Sequence, residues 1–457
     1  MARRKHRPIV AIEPASIVAE PDGLLRDVQP ESAELGEVFR RVALGLTAAL
    51  IVARAYWPAE YGAEAKSGSG LWWALLMIVA AILAVTGMWL EGGLRIRRSW
   101  ADVGVAALIV LVGISACHAA ERRIAINFAW DWVGVGIGYF LVRNLPRSRA
   151  ESSALAGALV ATAVALSAYG LYQIAAEFPR DRTLFLTNPR EVLIRAGIDP
   201  NAGPQEISRF KDRLLGSREP FATFALTNTL AGFLVGPAAV LLAMSLRGLS
   251  RRETWKSVAF AAPLGLILLV CLMLTKSRSA YLGLLAAMVG LAWIERRRVS
   301  FKRLALVVGG SVVAVAILVG VATRAGQLDK QVITESTKSL TYRAEWWRGT
   351  WGVITEGRSR WLAGIGPGNF GGAYLQHKLA QSSEEISDPH NLCLEVWAIA
   401  GLPALLALVV GLGFGLRECF AKGDRRGQVE ESDVASEPAA PASATWLRPC
   451  PRACGSR

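Results

Sequence analysis

The chain has 457 residues, of which 53% are hydrophobic and 19% charged, against roughly 25% charged in an average soluble domain. The charges cluster between long apolar runs instead of covering a surface, which excludes an ordinary soluble enzyme and indicates a polytopic membrane protein. The formal net charge of +14 fits membrane topology rather than nucleic acid, because charge in such a protein is read by its position.

Residues 1–38 begin MARRKHR and continue with scattered acids. They contain no apolar core followed by a small-residue cleavage site, so they read as a disordered cytoplasmic tail and not a signal peptide. Runs near the roughly 20 apolar residues needed to cross a bilayer follow at 40–57, 71–90, 101–119, 124–142 and 152–176. Five more lie at 221–246, 257–275, 279–294, 304–323 and 391–416. The expected fold is therefore all-α, with about ten transmembrane helices. Residues 39–176 and 220–323 form two membrane blocks, and 390–416 form the last span. Between them lie outward loops at 177–219 and 324–389, and a disordered cytoplasmic tail occupies 417–457.

Orientation follows from the connections. Arg95, Arg97 and Arg98 follow the second span, and Arg143, Arg147 and Arg149 the fourth. Arg247, Arg251, Arg252 and Lys256 follow the sixth, and Arg296, Arg297, Arg298, Lys302 and Arg303 the eighth. The opposite short connections hold only Lys66, Arg122, Arg123, Lys276 and Arg278. The positive-inside rule then predicts both termini in the cytoplasm. Asymmetric long loops on the outer side place the functional face there. The six cysteines form no secreted-type framework. Cys450 and Cys454 lack a second pair or a nearby His, so no metal site is assigned.

Three outward segments carry chemistry. In LTKSRSAYLGLL, Lys276 and Arg278 stand between two apolar runs with Ser277 between them. They suit either snorkelling toward headgroups or an anion site, since Arg offers a planar fork matching phosphate oxygens. In SLTYRAEWWRGTWGVITEG, helical spacing puts Leu340, Trp347, Trp351 and Ile354 on one stripe, as in an interfacial helix. Arg343 sits one turn before Trp347 and could be an interface anchor. Gly364, Gly366 and Gly368 follow. They suit a tight turn back to the membrane better than a phosphate cradle, because no strand precedes them and Pro367 lacks an amide donor.

The third segment is SDPHNLCLEVWAIAGLPALL. Asn391 or Asp388 can cap the last span, which puts His390 at a helix N-terminus. The dipole there disfavours imidazolium, and a neutral ring can accept a proton, with Asp388 available to orient it. A polar interface residue is the alternative reading. His118 and His377 have no comparable setting.

These residues, in this order and topology, resemble the O-antigen ligase family, the ligase and polymerase superfamily of bacterial envelope glycosyltransferases. The likeness runs from about Arg218 to Leu406 through REPFATFALTNTLAGFL, LTKSRSAYLGLL, YRAEWWRGTWGVITEGRSRWLAGIGPGNF and DPHNLCLEVWAIAGLPALL. The resemblance implies a polytopic, GT-C-like transferase of the inner membrane that needs no metal or other cofactor. Such an enzyme takes glycan from a polyprenyl (undecaprenyl) diphosphate carrier at the periplasmic face. Its acceptor is lipid A–core, another glycan or a protein, and no nucleic acid is involved. The family's essential histidine falls on His390 and its diphosphate-binding arginines on Arg278 and Arg343, with Arg218 as a third. Lys276, Ser277, Asp388 and Asn391 are expected to support them. The chain departs from the family in leaving the membrane near Arg417 and in carrying Ala400 where an acidic residue is common. Competing expectations are a polymerase, a protein O-oligosaccharyltransferase, a flippase of lipid-linked oligosaccharides and an inactive homologue. Transporters, however, bury charge along a midplane path, whereas Arg54 and Asp131 are the main charges inside these spans.

Overall fold

The computed structural model describes residues 30–57, 69–94, 96–196, 198–201, 203–216, 219–250, 254–295, 309, 331–382 and 385–436. All its regular elements are helices. The first five are α1 (Pro30–Tyr56), α2 (Ser69–Leu90), α3 (Trp100–His118), α4 (Arg122–Asn144) and α5 (Arg149–Tyr172). A π-helical turn, Gln173–Glu177, prolongs α5. Three short helices follow: α6 (Phe178–Thr187), α7 (Pro189–Arg195) and α8 (Pro204–Gly216). Then come α9 (Thr227–Ser250), α10 (Thr254–Leu274), α11 (Arg278–Glu295), α12 (Gln331–Thr355), α13 (Arg358–Ala363), α14 (Phe370–His377) and α15 (Leu392–Ser436).

Among the described residues, six helices are long and apolar enough to cross a membrane. They are 70–90, 100–118, 122–144, 149–187, 227–246 and 392–421, with shorter apolar helices at 260–274 and 278–294. Eight of the expected runs therefore fall on apolar helices. The run at 40–57 lies in α1, whose charged residues keep it outside that set, and 304–323 lies outside the described residues.

The helices are built inside out relative to a soluble core. Along α2, Ala74, Met77, Ala80 and Ala84 are buried against neighbours, while Trp72, Val79, Ile82 and Trp89 point outward. Small residues let backbones approach closely where lipid, not water, surrounds the bundle. The crossing of α1 and α2 does this with Gly36 against the carbonyl of Gly87, and that of α3 and α15 with Gly104 against Gly411.

Both terminal expectations shift outward. The first helix begins at Pro30, where proline and Glu31 suit a first turn. The last runs to Ser436, beyond the Arg417 at which the tail was expected. The first outward loop is also largely helical, through α6 to α8.

At the end of the bundle where α1 begins, Arg40 is 2% exposed and joins three elements. Its guanidinium donates to Glu37 at 2.7 Å, to Glu151 at 2.7 Å and to the carbonyl of Leu145 at 2.8 Å. Arg147 bridges Glu37 and Glu91 beside it. The guanidinium holds the Glu37 carboxyl well down, at about 2, against a smaller opposing effect of burial.

Candidate active site

The last span is broken by its own sequence. Pro403 has no N–H to give the carbonyl of Ile399, and Gly401 adopts φ 81°, ψ 174° inside the helix. An orphan carbonyl at membrane depth is costly, and the Gly-rich segment supplies the missing donors. The amides of Ile365 and Gly366 donate to the carbonyls of Ala398 and Ile399, each at 2.9 Å. The Ser115 hydroxyl of α3 also donates to Ile399, at 2.6 Å. Gly364 and Gly366 hold φ of 73° and 89°. A Cβ on Gly364 would collide with the backbone of Ile399 and Ala400, and one on Gly366 with Ala119. The segment is thus a strut docking the large loop onto the broken span. Its amides at 365 and 366 are spent on that span, which sets the phosphate-cradle reading aside.

The strut fixes the start of α15. Asn391 is the cap, its side-chain oxygen accepting from the amides of Cys393 at 3.1 Å and Leu394 at 3.3 Å. His390 precedes it with φ 49°, a left-handed conformation in a residue that is not glycine. One oxygen of Asp388 holds that turn, accepting from the His390 amide at 2.8 Å and lying 2.9 Å from ring Nδ1. With the proton on Nδ1 donated to Asp388, Nε2 carries the ring's lone pair. The ring stays accessible, 34% exposed against 40% for Asp388. Burial pushes the Asp388 carboxyl up. The hydrogen bond from the ring, the imidazolium charge and the His390 amide together outweigh it and leave the group below its ordinary value.

Helix α12 walls the pair. Trp346 meets the imidazole edge-on, with centroids 5.2 Å apart. The Trp347 indole donates to the carbonyl of Pro389 at 3.1 Å. Arg343 lies three and four residues before these tryptophans, on the same flank of the helix. The amphipathic helix is present, but its faces differ from the expected stripe. Leu340, Trp347 and Trp351 are exposed, whereas Ile354 is 1% exposed and packs inward with Val353, Phe370 and Tyr374. A stripe drawn at helical spacing cannot say which of its edges meets a neighbour. Trp351 also packs on Trp361 and Trp397, the latter in the second turn of α15.

The other expected residues lie at the turn between α10 and α11, where Arg278 opens α11. Lys276 holds φ 54° and pairs with Glu219 at 3.8 Å. Ser277 is buried, and its hydroxyl shares a hydrogen bond with that of Ser279. Helix α11 touches α15. Arg218 lies outside the described residues. The structure thus joins His390, Asp388 and Asn391 to the Arg343 flank of α12, and groups Lys276, Ser277 and Arg278 in a separate turn.

The sequence reading gave Glu395 no role in the site. It is half-buried one turn into α15, with its amide on the carbonyl of Asn391 at 2.8 Å, and it feels the charges of Asp388 and His390. His377 pairs with Glu356 at the end of α12, away from His390. That hydrogen bond, with Arg360 beside it, lowers the Glu356 carboxyl.

Fold and site define a polytopic helical membrane protein with a histidine–carboxylate pair at the mouth of a broken last span. The sequence pattern of one family, O-antigen ligase, matches residues 263–409, about a third of the chain, and over that stretch the protein is similar to the family. The match contains the Lys276–Arg278 turn, α12, the Gly-rich strut and His390, and begins after the segment around Arg218. Members of the family are glycosyltransferase-like enzymes. No curated protein and no solved structure matches the chain.

Proposed function

We propose that this protein is an O-antigen ligase-like transferase, moving glycan from a polyprenyl diphosphate carrier to an acceptor hydroxyl at the periplasmic face of the inner membrane. The observation that carries the reading is His390, held in a left-handed turn by Asp388 beside an exposed helix N-terminus. Strained, over-determined backbone conformations of this kind cluster at sites of chemistry. The acceptor oxygen bonds to the anomeric carbon of the glycan as the bond from that carbon to the carrier's diphosphate breaks. The electron pair leaves with polyprenyl diphosphate, and the hydroxyl proton passes to His390 Nε2.

Asp388 keeps the ring in the productive tautomer and balances the imidazolium that forms. Arg278 and Arg343, with Lys276, neutralise the diphosphate, which as a good leaving group then needs no proton. Lipid A–core is the acceptor this reading favours, and a second lipid-linked glycan or a protein hydroxyl would use the same donor chemistry.

Purified protein in nanodiscs, given a polyprenyl-diphosphate glycan and each acceptor in turn, should glycosylate one of them and release polyprenyl diphosphate. Translocation of the intact donor across vesicles with no glycosylated product would overturn the transferase reading and favour a carrier.

A further inference from the structure

Among the described residues, three that are not glycine hold positive φ: Ala222 at 50°, Lys276 at 54° and His390 at 49°. His390 and Lys276 are residues of the proposed function, in two separate turns, and Ala222 lies three residues after Glu219, the partner of Lys276. The turn holding Ala222 is clamped by one side chain. Gln173 is 1% exposed, and its amide oxygen accepts from the Ala222 amide at 2.8 Å and the Phe221 amide at 3.4 Å. Its NH2 donates to the carbonyl of Ala222 at 3.1 Å. Both ends of a buried amide therefore bind Ala222, and its oxygen also holds Phe221.

Gln173 opens the π-helical turn that ends α5, a distortion found often at functional sites. Further contacts seat the same loop. Pro220 lies against Gly170, Phe178 stacks on Phe221 at 5.6 Å, and Thr223 donates to the carbonyl of Ala55 at 2.7 Å. The loop ends in Glu219, whose carboxylate meets the Lys276 ammonium at 3.8 Å, two residues before Arg278.

We propose that Gln173 is a positioning residue of the donor site. It fixes the 219–222 turn so that Glu219 holds the Lys276 ammonium in place for the carrier's diphosphate. A lysine on a flexible four-carbon stem is a poorly aimed point charge, and a carboxylate set by a clamped turn aims it. The inference rests on the reading of the Lys276–Arg278 turn as the diphosphate site.

The test is steady-state transfer by the purified full chain, with KM and kcat measured for the polyprenyl-diphosphate glycan at saturating acceptor. Gln173→Leu removes the clamp at similar volume and should raise donor KM about tenfold, the worth of one charge-assisted contact, with kcat changed by less than about threefold. Ala222→Val attacks the same turn from the loop side, since a β-branched residue rarely tolerates positive φ. It should give the same signature, and it carries the test if Gln173→Leu does not fold. In a Lys276→Gln background neither change should raise KM further, because each acts through Lys276. A general loss of structure would instead lower kcat and persist in that background, and either result overturns the proposal. Arg278→Lys separates the two levels. If it raises donor KM while Gln173→Leu and Ala222→Val do not, the positioning role fails and the donor-site reading stands. If Arg278→Lys and Lys276→Gln both leave donor KM unchanged, the donor-site reading fails and the positioning role falls with it.

Discussion

Replacing Gly364 with alanine tests whether the Gly-rich strut does what its hydrogen bonds indicate. Gly364 holds φ 73°, ψ −172°, a region essentially restricted to glycine, and placing an L residue there costs about 1–3 kcal/mol. The added methyl would also overlap the backbone of Ile399 and Ala400. Relief of that overlap has to move the strut off α15, breaking the bonds from Ile365 to Ala398 and from Gly366 to Ile399. Each is worth about 0.5–1.5 kcal/mol net. Together the losses come to about 2–6 kcal/mol, a large part of the about 5–15 kcal/mol that stabilises a typical native protein. Gly372 is the control: it lies exposed within α14 with nothing near its missing Cβ. Alanine there should be neutral or stabilising by up to about 1 kcal/mol. Thermal unfolding of both variants in the same detergent, with hydrogen exchange at the amides of 365 and 366, measures the contrast. Equal unfolding temperatures and unchanged protection for Gly364→Ala would refute the strut.

His390→Ala should lower turnover by about 10²–10⁴-fold with donor binding retained, and Asp388→Asn by less, as measured by glycan transfer and donor affinity. Asp388, held below its ordinary value, stays an anion at neutral pH. The rate of the native protein should therefore rise with pH as the His390 ring loses its proton and then level off; a flat profile would remove the ring as base. Arg278→Lys and Arg343→Lys should each weaken donor use by about 1.5–3 kcal/mol despite keeping the charge, because lysine cannot reproduce a bidentate fork; unchanged donor KM in both would exclude the diphosphate role. Arg40→Ala should destabilise the fold by about 1–3 kcal/mol, because it leaves the buried carbonyl of Leu145 without its donor while Glu37 and Glu151 keep other partners, read from thermal unfolding. A reporter inserted at residue 385 should face the periplasm and one after Gly427 the cytoplasm; the reverse pattern would place His390 on the wrong side for a periplasmic reaction.

What the sequence made legible was whatever depends on one helix at a time. Apolar length marked α2, α3, α4 and α15 as spans, because crossing lipid is a local requirement. A cap at Asn391 or Asp388 and the turn at Gly364 to Gly368 were legible for the same reason, residue type and position, and only the structure selects Asn391. The buried side of α12 was not. Helical spacing put Ile354 with Leu340, Trp347 and Trp351, yet only contact with Phe370 and Tyr374 decides that Ile354 turns inward. Arg40 carried no signal of its own in the sequence. Its burial depends on Glu151, more than a hundred residues away, arriving at the same place.

The three left-handed residues that are not glycine show where sequence reading stops. Glycine announces positive φ because it adopts it at no cost, whereas Ala222, Lys276 and His390 announce nothing. Each is held by partners from elsewhere in the fold or a neighbouring turn: Gln173 for the first, the Glu219 pair beside the second, Asp388 for the third. Local preference and global structure disagree at these positions, and such disagreement is expected where a protein gives up stability for chemistry. It survives only on rigid support. At His390 that support is a span whose helix is interrupted by Gly401 and Pro403, because the carbonyls released there bind the strut that seats the large loop. The break in the last helix and the strain in the turn before it are therefore parts of one arrangement, and a change at either should be felt at the imidazole.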